Sequence, residues 1–173
     1  MYHNIKRSVR KIGLELDEAG ITIKDQRTGK TVSWKIYYPT KEYILRLHNF
    51  LIEEFRLDED PISEGIYSDG VLEFLGVKRY QKPKNNHKDD ILLRGAHMFN
   101  KFLKEGHPFV DGNKRTGLFT LWLFLLVNGV GLKSSFFQKE KHVEKIKVWA
   151  DSHKTPDNVI IEEIYRWIQH NVE

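Results

Sequence analysis

The stretch HPFVDGNKRTGLFTLWLFLLVNG, His107 to Gly129, decides how this chain folds. From Asn113 to Asn128 it is apolar nearly all round, with Leu118, Phe119, Leu121, Trp122, Leu123, Phe124, Leu125, Leu126 and Val127. A helix of that kind is covered on every side, so it reads as the central helix of the fold, closed by Asn128-Gly129. The chain enters it through a loop ending in Gly112-Asn113. There the first-turn N–H groups and the positive end of the helix dipole can receive an anion such as phosphate. Lys114 and Arg115 put two cations at the end where the dipole disfavours them, which suggests an anion between them. Asp111 is a hard oxygen ligand of the kind Mg²⁺ prefers and equally a capping carboxylate; the two readings are compatible. His107 is either a general base, the residue type that takes a proton near neutral pH, or a structural histidine before a turn.

Working outward, Asp89-Asp90 starts a helix to Lys104 with Leu92, Leu93, Ala96, Phe99, Phe102 and Leu103 inward, and Gly106 sits where a C-terminal cap belongs. Further upstream, Thr40 caps a helix whose stripe is Ile44, Leu47, His48, Leu51, Ile52 and Phe55. His48 on that stripe reads as a hydrogen-bonded core residue. Before it, residues 21–38 alternate apolar and polar on both sides of Arg27-Thr28-Gly29-Lys30, the signal of a β-hairpin. Residues 57–70 are loop by composition, and Ser68-Asp69 can cap a short helix through Val71, Leu72 and Leu75. Downstream, helices are expected over 136–150 and 158–170, separated by Pro156-Asp157, with Trp149, Tyr165 and Trp167 as core. The expected architecture is a mostly α bundle around a buried central helix, with a small N-terminal β-hairpin extension over 1–40 and the helical domain over 41–173.

A chain of 173 residues without cysteine has no disulfide framework and no thiolate nucleophile or metal site. It contains no apolar stretch long enough to span a bilayer and no signal-peptide pattern, so a soluble, cytoplasmic protein is expected. The net charge of +4 admits an anionic partner. The basic residues are dispersed, however, and the lysines from 133 to 147 alternate with apolar residues at helical spacing, as on a solvated helix face. That argues against nucleic acid. The eight histidines show no metal-ligand spacing.

The run His107 to Arg115 resembles the signature of the Fic/Doc family, which begins with His-x-Phe, continues through an acidic residue and Gly-Asn, and ends in a basic pair. The matching residues are His107, Phe109, Asp111, Gly112, Asn113, Lys114 and Arg115. The resemblance covers roughly Lys41 to Leu132. It implies a Fic/Doc-type helical fold and a transferase in which His107 deprotonates a Ser, Thr or Tyr hydroxyl of a target protein. It further implies that Asp111 holds Mg²⁺ and that Gly112, Asn113, Lys114 and Arg115 hold the phosphates of ATP or another nucleoside triphosphate. Asn113 either fixes the loop or contacts phosphate with its side chain, and Phe109 anchors the loop in the core. The polar stretch 76–90 reads by composition as a mobile surface loop; the resemblance alternatively makes it a flap, with Val77, Lys78, Arg79 and Tyr80, on which a target segment lies as an added strand.

AMP-transferring members of that family carry Gly where this chain has Lys114 and a second Arg where it has Leu118. Both departures resemble the Doc-like branch, in which a phosphate is transferred, whereas Gly112 resembles the AMP-transferring choice. Phosphate transfer to a protein hydroxyl is therefore the expected activity, with AMP transfer (adenylylation) by the same site as the alternative. The inhibitory Ser/Thr-x-x-x-Glu-Gly/Asn motif of many Fic proteins has no match, so the resemblance implies a toxin restrained by a separate antitoxin, by oligomerisation or by nothing. A reading of another class is a non-enzymatic basic adaptor that binds nucleic acid or protein through the hairpin and the lysine-rich flap.

Overall fold

The computed structural model describes residues 16–24, 31–56, 61–68, 70, 72, 86–104, 106–133, 136 and 140–173. Strands β1 (Leu16–Lys24) and β2 (Thr31–Pro39) form an antiparallel hairpin in which Ile21 faces Trp34 and Ile23 faces Val32. Five helices follow among the described residues: α1 (Lys41–Glu54), α2 (His87–Leu103), α3 (Asn113–Val127), α4 (Glu140–Asp151) and α5 (Asp157–Asn171). The protein is thus mostly helical, as expected.

Helix ends follow local chemistry. The Thr40 hydroxyl accepts the Tyr43 N–H at 3.2 Å and starts α1. Asn86 accepts the Asp89 N–H at 2.8 Å to start α2, with Asp89 and Asp90 in the first turn, where the dipole favours acids. At the end of α3, the Asn128 amide donates to the carbonyls of Phe124 (2.7 Å) and Tyr37 (2.8 Å) and accepts the Tyr37 N–H (2.9 Å). One side chain therefore closes the central helix and fastens it to β2.

α3 packs against α1, α2 and β2, and α2 packs in turn against α5. Ile36 and Tyr38 of β2 are buried in the same core as Leu47, Phe99, Leu121 and Phe124. α3 is buried all round from Phe119 to Leu125, whereas Lys114 in its first turn is exposed and Leu126 in its last is 44% exposed, so neither end is covered on every side. A buried ion pair joins hairpin and bundle. Asp90 accepts from Arg94 Nε (3.0 Å) and Trp34 Nε1 (3.3 Å), and Arg94 donates to the Tyr38 hydroxyl at 3.2 Å. Burial raises the Tyr38 phenol above its usual range, which keeps it a neutral partner for the guanidinium.

Three boundaries differ from expectation by two residues or more. β1 begins at Leu16 rather than Ile21. α2 begins at His87, because Asn86 caps it. The helix expected from Phe136 is described from Glu140; Phe136 itself sits in a tight turn, its N–H bonded to the Lys133 carbonyl, and is buried against Trp167. The hairpin turn at Arg27 to Lys30 lies outside the described residues, as do the flap residues Val77, Lys78, Arg79 and Tyr80. Of the short helix expected beyond Ser68, only Gly70 and Leu72 are described, both helical. No helix among the described residues is long and apolar enough to cross a membrane.

Candidate active site

The loop from Gly106 to Gly112 is held from below by three side chains. Phe109 is 1% exposed and lies face to face on the His48 ring of α1, with centroids 3.6 Å apart and planes 10° from parallel. His48 Nδ1 is 2.9 Å from the Thr116 hydroxyl in the first turn of α3, while its Nε2 is buried without a hydrogen-bond partner. An unpaired acceptor is tolerated in a core better than an unpaired N–H, which assigns the ring proton to Nδ1, donating to Thr116. Burial pushes the His48 pKa down to about 4, against an opposing pull from the Asp111 charge. Asn113 completes the support: its Oδ1 accepts the Phe109 N–H (3.0 Å) and its Nδ2 donates to the Phe109 carbonyl (2.7 Å). Of the two roles expected for the Asn113 side chain, it performs the first and fixes the loop.

A second strand-like segment braces the loop from the other side. Ile66 bridges Phe109, the N–H groups of Tyr67 and Ser68 donate to the Pro108 carbonyl (2.8 and 3.1 Å), and the Val110 N–H donates to the Gly65 carbonyl (3.0 Å). The Ser63 N–H donates to Asp111 Oδ2 at 3.1 Å, and the Gly112 N–H to Oδ1 at 2.5 Å. Asp111 is therefore oriented by two backbone donors rather than serving as the cap of α3. The N-cap is Gly112 itself, at φ +71°, and no side chain caps the first turn. A Cβ there would stand 2.7 Å from Ile62 Cγ2 and 3.3 Å from His48 Cε1, so position 112 needs glycine for both its backbone conformation and its space.

Above this scaffold lies a cleft of about 390 Å³, lined by His107, Asp111, Gly112, Asn113, Lys114 and Arg115 with Val110 and Leu118, and closed on its far side by Val143, Ile146 and Lys147 of α4. All six residues singled out in the loop thus line one space, Asn113 with its side chain turned to the Phe109 backbone. His107 is exposed there and adopts φ +36° immediately before Pro108, a conformation that a β-carbon and a following proline both oppose. Strain of this kind persists where the surroundings over-determine it, which fits a side chain held for use. The Arg115 guanidinium lies over the Phe55 ring at 4.9 Å, which fixes its approach to the cleft. Lys114 is exposed, and the first turn of α3 carries no acid.

The α4 wall was not legible in the sequence, where its lysines read as a solvated face. The part played by residues 61–68 was likewise hidden in what reads as a loop. His48 was recognisable as a core residue but not as the support of the motif loop. The only sequence signal of that link is the coincidence of a histidine on an apolar stripe with an aromatic residue at position 109.

No curated protein and no solved structure matches this chain. A sequence model of the Fic/DOC family matches residues 38–125, half of the chain, from the end of β2 through α1, α2, the loop and most of α3. The matched span contains the loop, its His48 support and the uncapped helix end, and the chain belongs to the Fic/DOC family.

Proposed function

We propose that this protein is a Fic/Doc-type transferase that moves the terminal phosphate of a nucleoside triphosphate to a Ser, Thr or Tyr hydroxyl of a target protein. The observation that carries the reading is the shared cleft, in which the exposed His107, the Asp111 carboxylate and an uncapped helix end bearing Lys114 and Arg115 face one another. His107 accepts the proton of the target hydroxyl, the freed oxygen forms a bond to the terminal phosphorus, and the bond from that phosphorus to its bridging oxygen breaks. The nucleoside diphosphate leaves carrying the electron pair. The N–H groups of the first turn of α3 and the cations of Lys114 and Arg115 face the charge that accumulates on phosphate oxygens.

The site suits Mg²⁺ on its donor chemistry. Asp111 lines the cleft as a single hard carboxylate with two of its lone pairs already oriented by backbone N–H groups. One carboxylate plus substrate phosphates and water is the set this ion prefers, and among the described residues no cluster of three acidic or histidine groups offers an all-protein cage. When bound, the ion would neutralise phosphate charge; Asp111 would hold it.

Phosphate is favoured over AMP as the transferred group by Lys114 and Leu118, which stand where AMP-transferring relatives in the family have Gly and Arg. The protein would act as a toxin or regulator in the cytoplasm, restrained by a separate antitoxin-like partner. Intact-mass spectrometry of candidate target proteins incubated with the protein, Mg²⁺ and ATP tests the reading, with His107→Ala as control. A gain of one phosphate that vanishes in His107→Ala while nucleotide binding persists is expected. A His107-dependent gain of AMP would move the chain to the alternative chemistry. Unchanged activity in His107→Ala would remove the general-base role. No adduct together with strong, salt-dependent binding of nucleic acid would favour the adaptor.

A further inference from the structure

We propose that Lys147 of α4 is a third phosphate-binding cation and that α4 is the wall along which the polyphosphate of the donor lies. The inference rests on the reading of the cleft as a nucleotide site and deepens it. Val143, Ile146 and Lys147 line the cleft together, one turn of one helix face opposite the loop. Among the described residues neither Lys147 nor Lys114 makes an ion pair. Among its described lining residues the cleft thus holds cations on two helices, Lys114 and Arg115 on α3 and Lys147 on α4, against the single carboxylate of Asp111. Like charges that share a cleft raise each other's energy until an anion lies between them.

The placement of Lys147 is not that of an arbitrary surface lysine on a loose helix. α4 is clamped by Trp149, 1% exposed, whose Nε1 donates to Glu163 at 2.8 Å, and by His142, whose Nδ1 accepts from Trp167 Nε1 at 2.8 Å. Phe136, His142, Trp149 and Trp167 pack edge to face and stack in one aromatic cluster. Lys145 is turned toward that cluster, its ammonium 5.2 Å from the Trp149 ring, while Lys147 faces the cleft. A single phosphate would be satisfied by the N-terminus of α3 alone. Cations on two walls of a space of about 390 Å³ call for a longer anion, and the apolar Val110, Leu118 and Val143 provide surface for the nucleoside attached to it.

The test is the affinity of the full chain for ATP with Mg²⁺, and separately for inorganic tripolyphosphate, by titration calorimetry. The proteins are the wild type, Lys114→Ala, Lys147→Ala, Lys147→Glu and the exposed control Lys154→Ala, each checked for an unchanged circular-dichroism spectrum. Lys147→Ala is expected to weaken both ligands about tenfold and Lys147→Glu more, with Lys154→Ala unchanged. If Lys114→Ala weakens binding while Lys147→Ala matches the wild type, Lys147 is a solvated lysine and the inference fails alone. If Lys147→Ala weakens ATP but not tripolyphosphate, the contact is to the nucleoside and the polyphosphate assignment is wrong. If the wild type binds neither ligand, the nucleotide reading of the cleft falls, and this inference with it.

Discussion

Acid should weaken this protein through His48, and the size of the effect follows from where that ring is placed. His48 is 2% exposed, stacked on Phe109 and bonded to Thr116, and burial lowers its pKa from 6.5 to about 4 despite the neighbouring charge of Asp111. Above pH 6.5 the ring is neutral in both the folded and the unfolded chain, and its contribution is fully present. As pH falls below 6.5 the unfolded chain takes up the proton first, so stability drops by up to about 1.4 kcal/mol per pH unit until the folded ring also titrates near pH 4. The accumulated loss is about 2 kcal/mol at pH 5 and about 3 kcal/mol at pH 4. Other groups titrate over the same range, so the measurement is a difference. Urea unfolding of the wild type and of His48→Gln, whose amide does not titrate, is followed from pH 7.5 to pH 4.5. The gap between the two curves should shift toward the variant by these amounts. A gap that stays constant to pH 4.5 would show that the ring is solvated in the folded protein, and the account of the loop resting on a neutral buried imidazole would be wrong.

Other perturbations follow from the same geometry. Asn113→Ala strands the buried N–H and carbonyl of Phe109 and should cost about 2–4 kcal/mol in urea unfolding, with a parallel loss of nucleotide affinity as the loop relaxes. Gly112→Ala should cost more than the 1–2 kcal/mol or so of a left-handed alanine, because its Cβ would stand 2.7 Å from Ile62 Cγ2; a thermal melt equal to that of the wild type would contradict the conformation of the loop. Asp90→Ala leaves the Arg94 guanidinium buried without its carboxylate and should destabilise by about 3–5 kcal/mol, while an Asp90→Ala, Arg94→Leu double variant should recover part of that loss.

The central helix and the loop before it were legible because both are local. An all-round apolar run of helical length reports burial without reference to any partner, and Gly112-Asn113 before it reports an open helix end. Caps were equally visible: Thr40 and Asn128-Gly129 act where their side chains and backbone freedom predict. The helix start expected at Phe136 was misplaced because Phe136 lies in a tight turn and is drawn into the aromatic cluster around Trp167, a contact between residues 31 apart that no local pattern records.

The sequence by itself determined which groups this protein can bring to one site: a histidine, a carboxylate, a glycine-terminated helix end and two cations within nine consecutive residues. Such a run carries its own spacing, and a helix end needs no distant partner to be an anion site. What faces that run was decided only by tertiary structure. His48 beneath the loop, residues 61–68 beside it and Lys147 across the cleft come from three separate segments. The packing of α1 on the central helix and of α4 on α2 brings them to one place, and side chains that meet only through packing leave no periodicity in the chain for a reader to find.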